Sequence, residues 1–305
     1  LTATTAINGT GNALNNVLTG GSGANVLTGL GGNDTYFIGT GDTVTEAAGG
    51  GEDLVNSSIT HTIAANVEHL ILTGTTALNG TGNTLNNLLR GNSGVNTLAG
   101  ALGNDVLEGG GGNDVLSDTG GANLFSGQAG TDTLTGNSGN ELFAGGAGND
   151  TLNTGAGADI LAFNRGDGTD TVAVSTVKDN SVSLGGGIAY ADLFFQKSGN
   201  NLVLKTAGAA ASEGLTFTNW YAASANRSVL NMQMVVEASA DFDAGSADSL
   251  KNKKAAQFNF DGLVAAFDAA RVANPTLTTW ALTDALVSFH LGGSDTAALG
   301  GDLAY

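Results

Sequence analysis

One large apolar residue recurs at every ninth position over a long stretch of this chain. From Gly82 the sequence divides without a gap into nine blocks of nine: GNTLNNLLR, GNSGVNTLA, GALGNDVLE, GGGGNDVLS, DTGGANLFS, GQAGTDTLT, GNSGNELFA, GGAGNDTLN and TGAGADILA. Position eight of these blocks is Leu89, Leu98, Leu107, Leu116, Phe125, Leu134, Phe143, Leu152 and Leu161. Residues 11–37 repeat the pattern, with Leu18, Leu27 and Tyr36 at position eight. A fixed short period of this kind is the mark of a repeat architecture, in which each unit buries its apolar face only against its neighbours.

The polar positions are as regular. Position six is Asn87, Asn96, Asp105, Asp114, Asn123, Asp132, Glu141, Asp150 and Asp159, and Asp34 takes it in the earlier stretch. Each of these side chains presents an oxygen. Glycines at positions one, two and four are expected to turn the backbone through positive φ, leaving room after position six for a very short strand. Turn plus strand makes half a coil, and two blocks, 18 residues, complete one. Position eight then points inward, with successive coils about 4.8 Å apart as parallel strands. The expected fold class is all-β, a flattened parallel β-roll or β-solenoid.

A longer duplication overlies the short one. A shift of 71 aligns AINGTGNALNN (Ala6 to Asn16) with ALNGTGNTLNN (Ala77 to Asn87), and the match runs from Leu1/Leu72 through Asp34/Asp105. Between the copies, residues 38–76 are rich in Thr, Val and Ile, and are expected to continue the stack with longer rungs. The chain starts without Met and is read as part of a longer one, with further copies upstream.

Past Asp170 the frame is lost. Strand-like runs at 171–177, 192–196, 201–205, 215–220 and 228–236 suggest a β cap closing the stack. The last part changes period: Phe260, Leu263, Val264 and Phe267 fall at helical spacing after Asn259 or Asp261 as N-cap, and stop before Asn274-Pro275. A second helix is expected from about Thr279 to Gly292, burying Leu282, Leu286 and Phe289, which makes the tail a helical hairpin. The expected divisions are 1–77 and 78–171 for two rolls, 172–240 for the cap and 241–305 for the helical tail.

Composition narrows the chemistry. The 305 residues hold 28 acidic and 10 basic side chains, for a net charge of −18, with 49 glycines, one proline and no cysteine. Without Cys there is no disulfide framework, thiolate zinc site or cysteine nucleophile. The acidic excess argues against nucleic acid and anionic lipid as partners. No apolar stretch approaches the ~20 residues of a membrane span. Forty of the glycines lie in residues 1–187, and Arg90 is the only basic residue before Arg165, against 14 acidic ones. Such a segment repels itself unless a cation joins it. One Leu per nine residues is also a thin core beside the cost of ordering so much glycine. Carboxylates and carbonyls without imidazole or thiolate are hard oxygen donors, which select calcium over zinc, copper or iron.

GGGGNDVLS and GGAGNDTLN resemble the nonapeptide GGxGxDxUx of the RTX (repeats-in-toxin, haemolysin-type calcium-binding) family. The resemblance covers roughly 1–37 and 82–171, and implies calcium held between turns stacked along an edge of the roll. One edge carries Asn96, Asp114, Asp132 and Asp150; the other carries Asn87, Asp105, Asn123, Glu141 and Asp159. Calcium is expected between the turns of Asp114 and Asp132 and between those of Asp132 and Asp150. Asp105, Asp159, Asp34, Asn123 and Glu141 are secondary candidates, because Asn123 is neutral, Glu141 is one methylene longer and the block at Asp118 lacks its first Gly. The Asn16/Asn25 and Asn87/Asn96 blocks are expected to be metal-free rungs. The resemblance also implies export by type I secretion machinery that reads an uncleaved C-terminal signal, expected within 255–305.

Three scattered histidines (His61, His69, His290) lack metal-helix spacing, and no GxSxG, GxGxxG or Walker motif occurs. Asp118, Asp42 and Glu108 lie outside position six and read as solvated; Trp220, Tyr221 and Trp280 read as core. The leading expectation is a non-catalytic, calcium-folded structural segment of a secreted bacterial surface or matrix protein, such as an adhesin, surface layer or fibre, able to self-associate. The alternative is the C-terminal secretion and folding module of an RTX hydrolase or toxin.

Overall fold

The computed structural model describes residues 6–175, 177–208 and 210–295. The chain divides into two units, Leu1–Asn137 and Ser138–Tyr305.

In the first unit, strands from alternate blocks stack in parallel on two faces. One face runs Val17–Thr19, Thr35–Ile38, Leu54–Ser57, His69–Leu72, Leu88–Arg90, Val106–Gly111 and Leu124–Gly130. The other runs His61–Thr62, Asn79–Thr81, Thr97–Ala99, Val115–Ser117 and Thr133–Thr135, with Gly9–Thr10, Val26–Thr28 and Thr43–Thr45 as a separate sheet. Register places Leu89 beside Leu107 and Leu107 beside Phe125, and on the opposite face Leu98 beside Leu116 and Leu116 beside Leu134. Two blocks thus make one coil. Position eight is fully buried from Leu89 through Leu134, because a three-residue strand turns only its middle side chain inward. The unit is a parallel β-roll, as the nine-residue period predicts.

Residues 38–76 continue the stack with coils of unequal length. Thr35 pairs with Leu54, Leu54 with His69 and His69 with Leu88. Two of these steps are longer than the regular coil, as expected, but the middle one is shorter.

The glycine roles differ from expectation at position one. Positive φ occurs at positions two and four, for example at Gly110 and Gly112 (102° and 108°), whereas position one is glycine for space. A Cβ on Gly109 would lie 2.5 Å from Asp114 Oδ2 and 2.8 Å from the Gly127 carbonyl oxygen. At position two, Ala101 holds a φ of 88°, which costs an L-residue on the order of 1–2 kcal/mol. Ala101→Gly is therefore expected to stabilise the folded chain by about 0.5–1 kcal/mol, after the entropy of the unfolded glycine is deducted. A denaturation midpoint that moves downward instead would contradict this reading of the turn.

In the second unit, Leu142–Gly148, Ile160–Asn164, Asn180–Gly185 and Val229–Val235 pair in parallel, and Ala255–Asn259 and His290–Ser294 then add antiparallel. The other face passes from Thr151–Asn153, Thr169–Val172 and Gly214–Phe217 to antiparallel Asn201–Lys205, Phe194–Ser198 and Thr279–Ala281. Here the single inward Leu gives way to an aromatic cluster of Phe195, Phe217, Trp220, Phe260 and Phe267, with centroid spacings of 5.3 to 5.9 Å. Edge-to-face and tilted ring packing of this kind fills volume that one Leu per half-coil cannot.

The helix Phe260–Ala273 buries Phe260, Leu263, Val264 and Phe267, and the Asn259 side chain accepts from the Gly262 N–H at 2.9 Å. The expected helical hairpin is corrected beyond it. Thr279–Ala281 is a strand paired with Phe194–Gln196, the second helix is only Thr283–Phe289, and His290–Ser294 is again a strand. Trp280, flanked by Thr279, stacks on Phe267 at 6.1 Å, so the helix starts later than expected; Leu282 and Leu286 are buried as expected, while Phe289 is half-buried. The end of the tail and the rung at Leu1 lie outside the described residues.

Candidate metal centre

Position six builds a ladder along each edge. Its first oxygen accepts the backbone N–H of the position-six residue one coil earlier. On the first edge Asn96 donates to Asp114 Oδ1 (2.8 Å) and Asp114 to Asp132 Oδ1 (2.7 Å). On the second, Asn16 donates to Asp34 Oδ1 (2.6 Å), Asn87 to Asp105 Oδ1 (2.7 Å) and Asp105 to Asn123 Oδ1 (2.7 Å). In the second unit Glu141 donates to Asp159 Oδ1 (3.0 Å) and Asp150 to Asp170 Oδ1 (2.9 Å). Asp, Asn and Glu thus occupy one structural position, and all but Asn16 are buried.

The second polar atom separates them. Where position six is Asn, its Nδ2 donates to a carbonyl: Asn25 to Ile7 (2.6 Å), Asn96 to Leu78 (2.6 Å) and Asn87 to Glu68 (3.2 Å). Those rungs are satisfied by amide chemistry alone. Where it is Asp, Oδ2 has no amide hydrogen to offer. In Asp34, Asp105, Asp114 and Asp159 this oxygen is buried and accepts no hydrogen bond. A buried carboxylate oxygen without a donor is costly, and a hard cation removes the cost. The donor set fits calcium: carboxylate oxygens face backbone carbonyls, as Asp114 Oδ2 faces the Gly127 carbonyl beside Gly109.

The densest acidic groupings lie on the second edge. Asp34, Glu46 and Asp53 bring ligand oxygens within 4.8 Å of one another. Asp53 takes the ladder place after Asp34, whose N–H donates to Asp53 Oδ1 at 2.7 Å, and Glu46 accepts from the Tyr36 hydroxyl. Asp105 faces Asp118 across Gly100. Asp159 is paired with Glu141 and has Asp179 nearby. None of the ion pairs among the described residues involves Asp34, Glu46, Asp53, Asp105, Asp118 or Asp159.

Two residues read as solvated are corrected: Asp118 and Asp42 are each only 6% exposed. Asp42 Oδ1 receives the Asn25 N–H (2.9 Å) and Oδ2 the Gly39 N–H (2.9 Å), so it is a position-six residue displaced by a coil one residue short. Glu108 is half-buried, its side chain 21% exposed and paired with Arg90. Glu46 and Asp53 escaped the sequence reading because the irregular coils of 38–76 carry them out of the nine-residue frame. The signal that finds them is stacking distance, not spacing.

Burial and like charge raise these carboxyls. Asp105 is pushed up to about 7 by burial and then by Asp118, and Asp159 to about 8 by burial and then by Glu141. Asp53 and Asp167 reach about 6, mainly by burial, and Asp114 is raised by burial alone. Carboxyls raised on folding hold extra protons in the folded state between about pH 4 and pH 8. Calcium-free stability is therefore expected to fall as pH rises through that window. Where protonation keeps the calcium-free corners folded, calcium displaces those protons, so its binding at about pH 5 should release protons and at pH 9 release almost none. Calorimetry in buffers of unlike ionisation heat reads this directly, and identical heats in all buffers at about pH 5, with the calcium-free chain shown to be folded there, would contradict the assignment.

A family model described as the RTX calcium-binding nonapeptide repeat matches the chain four times, at residues 10–44, 81–116, 108–140 and 135–170. No curated protein matches it. The matched stretches contain every position-six carboxylate from Asp34 to Asp159, but neither Glu46 nor Asp53.

Proposed function

We propose, from the premise that this is an RTX repeat protein that binds calcium, that it serves as a non-catalytic structural segment of a secreted bacterial surface or matrix protein. Its repeats would stay unfolded at cytosolic calcium and fold outside the cell. The observation that carries this is the set of buried Oδ2 atoms without a donor at Asp34, Asp105, Asp114 and Asp159, which a hard cation would satisfy. Calcium, when bound, supplies the positive charge that these corners lack.

The residues of the chain do the rest. Asp114, Asp132 and Asp150 would hold calcium on the first edge, and Asp34, Asp105, Asp159, Asn123 and Glu141 would contribute on the second. Position-one glycines keep the space beside Asp34, Asp105, Asp114 and Asp150 open, and the position-eight column fixes the register in which corners meet. Extracellular calcium-binding modules work at roughly 10⁻⁴–10⁻³ M, a level that separates the two sides of the cell envelope.

A structural rather than catalytic role is supported by the 71-residue duplication, which lengthens a stack instead of shaping a cleft. Among the described residues no histidine hydrogen-bonds to a carboxylate or hydroxyl, so no acid–base pair stands out. No described helix is long and apolar enough to cross a membrane. Export by type I secretion machinery through the C-terminal tail and self-association into a fibre or lattice belong to the same proposal. Light scattering of the full chain at millimolar calcium is expected to show assembly beyond the monomer. A strictly monomeric chain at high calcium and high concentration would refute the fibre or lattice role.

A further inference from the structure

We propose that the chain builds a second, higher-charge class of calcium site once in each copy of the 71-residue unit, at Asp34/Glu46/Asp53 and at Asp105/Asp118. The proposal rests on the calcium reading above and deepens it. The 71-residue shift superposes Gly29 on Gly100 and Asp34 on Asp105. In both copies the residue stacked one coil above that glycine is acidic: Gly29 N–H donates to the Thr45 carbonyl just before Glu46, and Gly100 N–H to the Ser117 carbonyl just before Asp118. At Gly11, Gly82, Gly91 and Gly109 that neighbour is a backbone carbonyl, and at Gly20 it is Asp42, whose two oxygens already accept backbone N–H groups. A Cβ on Gly82 or Gly91 would collide with the carbonyl of Gly100 or Gly109 and with the position-six Asn. On Gly29 it would instead collide with Asp34 Oδ2, Glu46 Oε1 and the Tyr36 hydroxyl, and on Gly100 with Asp118 Oδ2 and Asp105 Oδ2.

Each cradle is therefore lined by two carboxylates where the ordinary corner offers a carboxylate and a carbonyl. Their side chains are at least nine-tenths buried: Asp34 is 1% exposed, Glu46 8%, Asp53 0%, Asp105 1% and Asp118 6%. The Oδ2 atoms of Asp34, Asp53, Asp105 and Asp118 accept no hydrogen bond. Two copies of one chain thus reach the same arrangement with different residues, Glu46 after a short coil and Asp118 after a regular one. A mere surplus of acid does not recur at an equivalent, solvent-excluded point with no cation beside it. Asp53 adds a third carboxylate in the first copy, where the second has neutral Asn123 in the equivalent ladder place. Because affinity of oxygen cages rises with ligand charge, the site at Glu46 should be the tightest in the chain, followed by the site at Asp118.

The test uses the full chain, titrated with calcium by calorimetry and with terbium by tyrosine-sensitised emission, since the Tyr36 hydroxyl lines the first cradle and Leu107 replaces it in the second. Glu46→Gln is expected to weaken the tightest calcium step by about tenfold or more, and Asp118→Asn the next. Asp114→Asn should leave both steps in place. Tyr36→Phe should abolish the emission that grows with the first terbium bound. If Glu46→Gln and Asp118→Asn titrate as the parent does while calcium still folds the chain, the proposal is overturned and the functional reading survives. If Glu46→Gln fails to fold, Tyr36→Phe decides: undiminished emission overturns the proposal and lost emission supports it. A parent chain with no response to calcium overturns both.

Discussion

Chelating calcium from the folded chain at neutral pH is expected to abolish most of its far-ultraviolet β signal, and restoring millimolar calcium to bring it back. In the first unit each half-coil buries one large side chain, such as Leu98, Leu116 or Leu134, against the ordering of nine residues rich in glycine, the most costly residue to fix. The carboxylates make matters worse without a cation. Asp34, Asp105 and Asp114 present buried oxygens with no donor, and Asp105 and Asp118 repel across Gly100. Binding free energy is then folding free energy. Circular dichroism in chelator at pH 7.5 is the measurement, and a spectrum of undiminished β intensity would refute the account. Acidifying the chelated sample to about pH 5 should restore part of the signal, because protons neutralise the same groups.

Leu116→Ala should cost about 2–5 kcal/mol, the range for emptying a well-packed Leu site. Leu116 is fully buried and sits in register between Leu98 and Leu134. The roll has no second layer to close over the gap, and a three-residue strand cannot re-aim its neighbours. Because folding and calcium binding are linked, the loss appears as a higher calcium concentration at the folding midpoint. Val115→Ala, one residue away and 41% exposed, should move that midpoint by an amount equivalent to no more than about 0.5 kcal/mol. Equal shifts for the two variants would mean that position eight is not the core column.

Much of the roll was legible in the sequence because its determinants are strictly periodic. The nine-residue frame places Leu89 through Leu134 on the inner column and Asp105, Asp114 and Asp132 on the ladders, and the structure places them there residue by residue. What escaped depends on contacts between coils. Asp42 left the frame through a coil one residue short, and Glu46, Asp53 and Asp118 acquire meaning only when stacked against Gly29, Asp34 and Asp105. Position-one glycine looked like a turn residue, yet its φ is ordinary and its purpose is clearance for an oxygen from its own block. In the tail, Trp280 and His290 took strand conformations because open sheet edges were waiting for them, information that no local window contains.

The amide corners at Asn25, Asn87 and Asn96 carry one more implication. Their Nδ2 groups close the turn by bonding a carbonyl of the previous coil, so these steps zip shut in ion-free solution. They can seed assembly, giving the cation-demanding steps beyond them a finished template on which to add. Alternating self-sealing and ion-gated corners along one polypeptide would set where winding begins and make its spread, rather than its start, the event that answers to the surroundings.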